Sequence, residues 1–138
     1  MAVEQPPPDV LAMILADTVL HEPSSGKFFI QGTYSVIWAS EFPYTHPSLV
    51  TYLAITGGHG KTRMRLSLVD VDEVREPVFQ GEGDLEFPDP IAVVEMVLVR
   101  RNVVFPEPGE YRLQLYGAGQ FLRERRLQVV PMPGRTEH

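Results

Sequence analysis

Pro106-Glu107-Pro108-Gly109-Glu110-Tyr111-Arg112-Leu113-Gln114-Leu115-Tyr116-Gly117-Ala118-Gly119-Gln120, returning through Phe121 to Val130, is the stretch that decides the fold. A Pro/Gly turn opens it, and Tyr111, Leu113 and Leu115 then alternate with Glu110, Arg112 and Gln114. A period of two marks a strand with one buried face. The loop at Gly117–Gln120 reverses the chain, and Leu127 and Val129 form a second alternating run that Pro131 stops. The stretch reads as a β-hairpin and sets an all-β fold class.

Working outward, the same grammar recurs. Lys27–Trp38 reads as one strand with Phe28, Ile30, Tyr34, Val36 and Trp38 on one face, interrupted at Gly32. Leu49–Thr56 and Lys61–Asp70 read as a hairpin around Gly57-Gly58-His59-Gly60. Val78–Phe87 places Phe79, Leu85 and Phe87 on one face, with Glu82, Asp84 and Glu86 on the other. Ile91–Val99 is a mostly apolar strand, and Val103–Phe105 leads into the terminal hairpin. Glu41–Pro47 reads as a loop crossing to a second sheet. Val10–Leu20 fits a short helix capped by Asp9 or a fully buried central strand equally well. Seven to nine strands at roughly ten-residue spacing predict a two-sheet antiparallel β-sandwich. The expected organisation is a Pro-rich arm over residues 1–9, one sandwich domain over 10–131 and a tail over 132–138.

Composition narrows the function. The chain has 138 residues, a net charge of −6 and no cysteine. It is long enough to bury a core without staples. Without cysteine there is no disulfide, no thiol catalysis and no Cys-ligated zinc, which fits a reducing compartment. The acidic balance argues against general nucleic-acid binding. The apolar run Val10–Ala16 is too short to span a membrane and follows Glu4 and Pro6-Pro7-Pro8 rather than basic residues. The expectation is a cytoplasmic protein that binds neither membrane nor nucleic acid.

Several blocks together resemble a small bacterial family of unknown function. They are Leu15-Ala16-Asp17-Thr18-Val19, Ser25-Gly26-Lys27, Ile30-Gln31-Gly32-Thr33-Tyr34 with Val36-Ile37, Pro43…His46-Pro47, and Pro106-Glu107-Pro108-Gly109-Glu110-Tyr111. Members of that family open close to "ADxV…TGK…xGxF(D)xI" and close on "PEPGxY". Ser35 stands where that pattern has an acidic residue. The resemblance spans residues 11–130 and implies a sandwich of immunoglobulin-like character, with a strand at Val10–Leu20. It implies no catalytic residues.

Signals for chemistry are weak. Gly57-Gly58-His59-Gly60-Lys61-Thr62 ends like a phosphate-binding loop, but Ile55 replaces the first glycine and strand alternation follows instead of a helix. It reads as a turn. His21, His46, His59 and His138 each lie in or beside a loop at no metal-ligand spacing, which leaves a metal-dependent hydrolase as the least favoured reading. Asp70, Asp72, Glu73 and Asp89 could gather oxygen ligands for Ca²⁺ at one end of a sandwich. The bland alternative is a solvated face, in a region holding nine of the 18 Asp and Glu residues. Trp38, Tyr34, Phe28 and Phe29 could form a carbohydrate platform, but Trp38 shares parity with Phe28, Ile30 and Val36 and so reads as core.

Arg100, Arg101, Arg112, Arg123, Arg125 and Arg126 are half of the 12 basic residues and fall in one short stretch. Arg112, Arg123, Arg125 and Arg126 on the last hairpin are the candidate interaction patch, with edge protection as the competing explanation. Arg123 and Arg125 share parity with inward Leu127, which suits inward-pointing edge charges or a strand that begins only after them. The function expected from all this is a non-enzymatic interaction module, without cofactor, that binds another protein or itself through a sheet edge or loop end. A small-ligand or Ca²⁺-binding domain is the alternative.

Overall fold

The computed structural model describes residues 6–72 and 75–133. Among these residues nine strands follow in order: β1 (Asp9–Glu22), β2 (Lys27–Thr33), β3 (Val36–Ala39), β4 (Tyr44–Thr56), β5 (Gly60–Asp70), β6 (Phe79–Phe87), β7 (Val94–Phe105), β8 (Gly109–Gly117) and β9 (Gln120–Pro131). They form a four-stranded sheet in the order β2-β1-β4-β7 and a five-stranded sheet in the order β3-β9-β8-β5-β6. The fold is an all-β, two-sheet sandwich. All pairings are antiparallel except β3 with β9, which run parallel.

The terminal hairpin is the one its sequence predicts. Ala118 and Gly119 both have positive φ, 50° and 79°. That is the two-residue turn whose twist matches antiparallel strands. Tyr111, Leu113 and Leu115 from β8 and Leu127 and Val129 from β9 are buried in the core. Opposite them lie Leu15, Leu49, Leu53 and Ile55 of the other sheet, each at most 1% exposed.

Two sequence expectations are corrected here. Leu49–Asp70 is not a hairpin, because β4 and β5 belong to different sheets. The Gly57–Gly60 segment carries the chain between them. Gly57 N–H donates to the Pro90 carbonyl at 2.9 Å, and a Cβ on Gly58 would overlap the Phe87 ring. Turn composition is the same for a hairpin and a crossover; burial separates them. Every residue of β4 from Leu49 to Ile55 is buried, so this strand needs a covering layer on both faces.

The second correction concerns Trp38, which is 54% exposed while Ile37 and Ala39 are buried. Lys27–Trp38 is two strands in two sheets, broken at Tyr34-Ser35. Parity counted across that break inverts.

The second cover of β4 comes from the β1–β2 hairpin. His21 faces Phe28, and Ile14 faces Tyr52. The seven residue steps from Ile14 to His21 would span about 23 Å if straight. Yet the Phe28 and Tyr52 rings are 5.8 Å apart. The hairpin therefore folds back over the outer face of its own sheet. The bend falls where Asp17 faces Gly32, whose φ of 72° suits glycine. A Cβ there would strike the Asp17 carboxylate. Val50, Tyr52 and Ala54 are buried beneath this flap.

Candidate functional site: an apolar cleft between two sheet edges

β6 closes one sheet and β7 the other, and both lie on the same flank of the sandwich. Alternation along β6 sends Phe79, Leu85 and Phe87 into the core, where each is at most 7% exposed. The two inward positions between Phe79 and Leu85 are Gly81 and Gly83. Neither has a side chain to close the gap, and a Cβ built on either meets no atom within 4 Å. The result is a cleft of about 180 Å³ walled by Met64, Leu66, Met96 and Leu98 over a floor of Leu49 and Leu53. An apolar cavity of roughly 150 Å³ is enough to hold a benzene-sized group. Methionine walls adapt their shape to an occupant. At the rim, the Arg100 guanidinium lies 5.4 Å from the centre of the Phe79 ring, and Glu82 pairs with Arg63 at 2.9 Å.

The backbone at this flank has a definite polarity. Tyr34 N–H donates to the Leu15 carbonyl, so Leu15 turns its amide groups toward β2. Its neighbours Ile14 and Ala16 must turn theirs toward β4, opposite Tyr52 and Val50. Thr51, Leu53 and Ile55 therefore face β7, where Leu98, Met96 and Val94 answer them. That leaves Glu95, Val97 and Val99 with N–H and C=O groups pointing outward, unpaired by any strand among the described residues. The same argument runs through the other sheet. Ala118 N–H donates to Arg63, which fixes the outward groups of β6 at Gln80, Glu82, Asp84 and Glu86. The β6 edge is acidic, whereas the β7 edge is apolar.

The four arginines of the terminal hairpin do not form one patch. Arg112 and Arg126 stand opposite each other on the outer face, while Arg123 and Arg125 pair with inward Leu115 and Leu113. Arg112 is held by Glu110 at 3.2 Å and Glu124 at 3.1 Å, and Arg126 approaches Glu110 at 3.8 Å. Arg125 donates through Nη2 to the Tyr34 carbonyl and the Ser35 hydroxyl, both at 3.0 Å. It bridges the break between β2 and β3.

The other candidate groups scatter. Asp70 ends β5 beside the start of β6, and Asp89 follows the far end of β6. The acidic loops thus lie at opposite ends of the β5–β6 hairpin and cannot gather one Ca²⁺. Asp70 instead approaches Arg75 at 3.8 Å. Glu73 and His138 lie outside the described residues. Among the described residues no three His, Cys, Asp or Glu side chains could hold a metal ion together. His21 stacks on Phe28, His46 lies between Tyr34 and Tyr44, and His59 sits in the crossover. No helix among those residues is long and apolar enough to cross a membrane.

A second polar group does assemble. The Tyr34 hydroxyl lies 3.4 Å from His46 Nε2. Burial, helped by the negative charge of Asp17, pushes the Tyr34 phenol up to about 12. Burial also pushes the His46 imidazole below its ordinary value, against the opposing pull of Asp17. Asp17, Gly32, Tyr34 and His46 are residues on which the family resemblance rests. They meet where the chain bends and changes sheets.

Sequence reasoning missed Gly81, Gly83, Met96 and Leu98 as site residues. The signal for the glycines was present: Phe79-Gln80-Gly81-Glu82-Gly83-Asp84-Leu85-Glu86-Phe87 puts both on the apolar parity.

These features define a β-sandwich with one open flank. The chain belongs to the family of unknown function DUF6941, whose model matches residues 11–130. No curated protein matches it. Among solved structures it is similar to the sensor domain of the anti-sigma factor RsgI4 of Pseudobacteroides cellulosolvens. The identity is 11%, covering 73% of this chain and 91% of the other, at a TM-score of 0.40. So loose a likeness says nothing about function.

Proposed function

We propose that this chain is a binding module with no chemistry of its own, which holds an extended segment of protein along the β6–β7 flank. The observation that carries the reading is the pair of inward glycines, Gly81 and Gly83, which leave an apolar cleft open beside an unpaired strand edge. A strand added at such an edge gains main-chain hydrogen bonds, and its alternate side chains enter the cleft. We further propose an immunoglobulin-like character for the fold. It is supported by the parallel β3–β9 pair and by the bond from the Tyr111 hydroxyl to the Glu107 carbonyl at the entry to β8.

The test is selection from a random-peptide phage library on the immobilised protein, followed by the cleft-filling variant Gly83→Leu. Selected peptides should alternate apolar residues, and Gly83→Leu should weaken them at least about tenfold without lowering the melting temperature. Peptides that bind wild type and Gly83→Leu equally well would refute the reading.

A further inference from the structure

The β7 edge is long and apolar, and it is complementary to itself. Its outward residues run Glu95, Val97, Val99 and Arg101, all on the face away from the core; Val99 is 51% exposed. Place a second β7 antiparallel to the first, with the twofold axis at Leu98. Val97 then faces the partner copy's Val99, and Glu95 faces its Arg101. These are the residues whose N–H and C=O groups point outward, so hydrogen-bonding parity and side-chain matching agree at this register. Moving the axis to Val97 sets Glu95 against Val99 and Arg101 against Val93; moving it to Val99 sets Val97 against Arg101. Among these registers, only the axis at Leu98 matches the charges. Arg101 has no ion-pair partner among the described residues, and Glu95 accepts only a neutral hydrogen bond, from the Tyr52 hydroxyl.

The inner face fits as well. Leu98 meets its own copy on the axis, above the gap that Gly81 and Gly83 leave. The β6 edges of the two copies carry Glu82, Asp84 and Glu86. Glu82 and Asp84 are held by Arg63 and Lys61 of β5, and a row of charged side chains along an edge blunts it against pairing, which singles out β7 as the joining strand.

We propose that the segment held at this flank is the β7 strand of a second copy of this chain, joining two four-stranded sheets into one of eight strands. This rests on the reading of the flank as a binding face and names its occupant. The interface is isologous, so it closes on a dimer rather than growing into a filament.

The absence of cysteine makes the test clean. Leu98 and its copy form a non-hydrogen-bonded pair, with Cα atoms about 4.5 Å apart, within disulfide range. Under mild oxidation Leu98→Cys should give a disulfide-linked dimer, whereas Leu20→Cys on the exposed flap should not. Adding Val99→Pro removes an outward N–H without touching the ladder to β4, and should abolish the cross-link. Arg101→Glu should weaken dimerisation in sedimentation equilibrium at least about tenfold, and Glu95→Arg added to it should restore the dimer. Circular dichroism melts confirm that each variant folds. A folded Leu98→Cys that stays monomeric, or a cross-link indifferent to both Val99→Pro and the charge swap, overturns the proposal. If self-pairing fails while Gly83→Leu still abolishes peptide capture, the binding-module reading stands. If capture is also indifferent to Gly83→Leu, both fall.

Discussion

The hydroxyl of Tyr111 donates to the carbonyl of Glu107 at 2.6 Å, while its ring packs edge-on against Phe105 at 5.0 Å. This one side chain ties the turn that opens the terminal hairpin to the core of the sandwich. Tyr111→Phe keeps the ring and strands a carbonyl. The variant should lose about 1–3 kcal/mol, read as a lower midpoint in urea unfolding with the slope unchanged. Tyr111→Leu should lose more, because the edge contact goes as well.

Arg125 joins β9 to the break between β2 and β3 through the Tyr34 carbonyl and the Ser35 hydroxyl. An acid at position 35 would turn the second of these bonds into an ion pair. Ser35→Asp is expected to gain about 0.5–1 kcal/mol at low salt and to lose that gain at high salt. In an Arg125→Met background the same substitution should gain nothing.

His46 sets an acid limit. Burial lowers its folded pKa below the unfolded value of about 6.5. The unfolded chain thus binds the extra proton first as pH falls. Stability is full above about 6.5 and declines below it, toward the lowered folded value. His46→Gln should flatten the stability profile over that window. A profile unchanged by the substitution would place the imidazole in solvent.

Trp38 and Leu113 separate the surface from the core. Trp38→Ser removes a ring that is 54% exposed and should shift stability by no more than about 1 kcal/mol, whereas Leu113→Ala should lose about 2–5 kcal/mol. Equal losses in thermal melts would return Trp38 to the interior.

The terminal hairpin was legible because everything that specifies it is local: a turn at Ala118-Gly119 between two alternating runs. Trp38 was misplaced because the alternation rule holds within one strand, and nothing in Tyr34-Ser35 announces a change of sheet. The Gly57–Gly60 segment carries ordinary turn chemistry, so the sheet that each flanking strand joins is settled by long-range pairing alone. The cleft was half-written in the sequence. Two glycines on the apolar parity of β6 marked a missing wall. That β7 forms the other side follows only from the strand order. The arginines read as one patch because they are neighbours in sequence, and alternation in β8 and β9 then divides them between two faces.

Amide hydrogen exchange along β7, followed by NMR, tests the open flank most directly. In dilute protein, Glu95, Val97 and Val99 should exchange fast, while Met96 and Leu98, bonded to β4, exchange slowly. Raising the protein concentration, or adding a selected peptide, should slow the first set and leave the second unchanged. Fast exchange at Val97 and Val99 under every condition would mean that no strand ever docks there, and would contradict the binding role assigned to this edge.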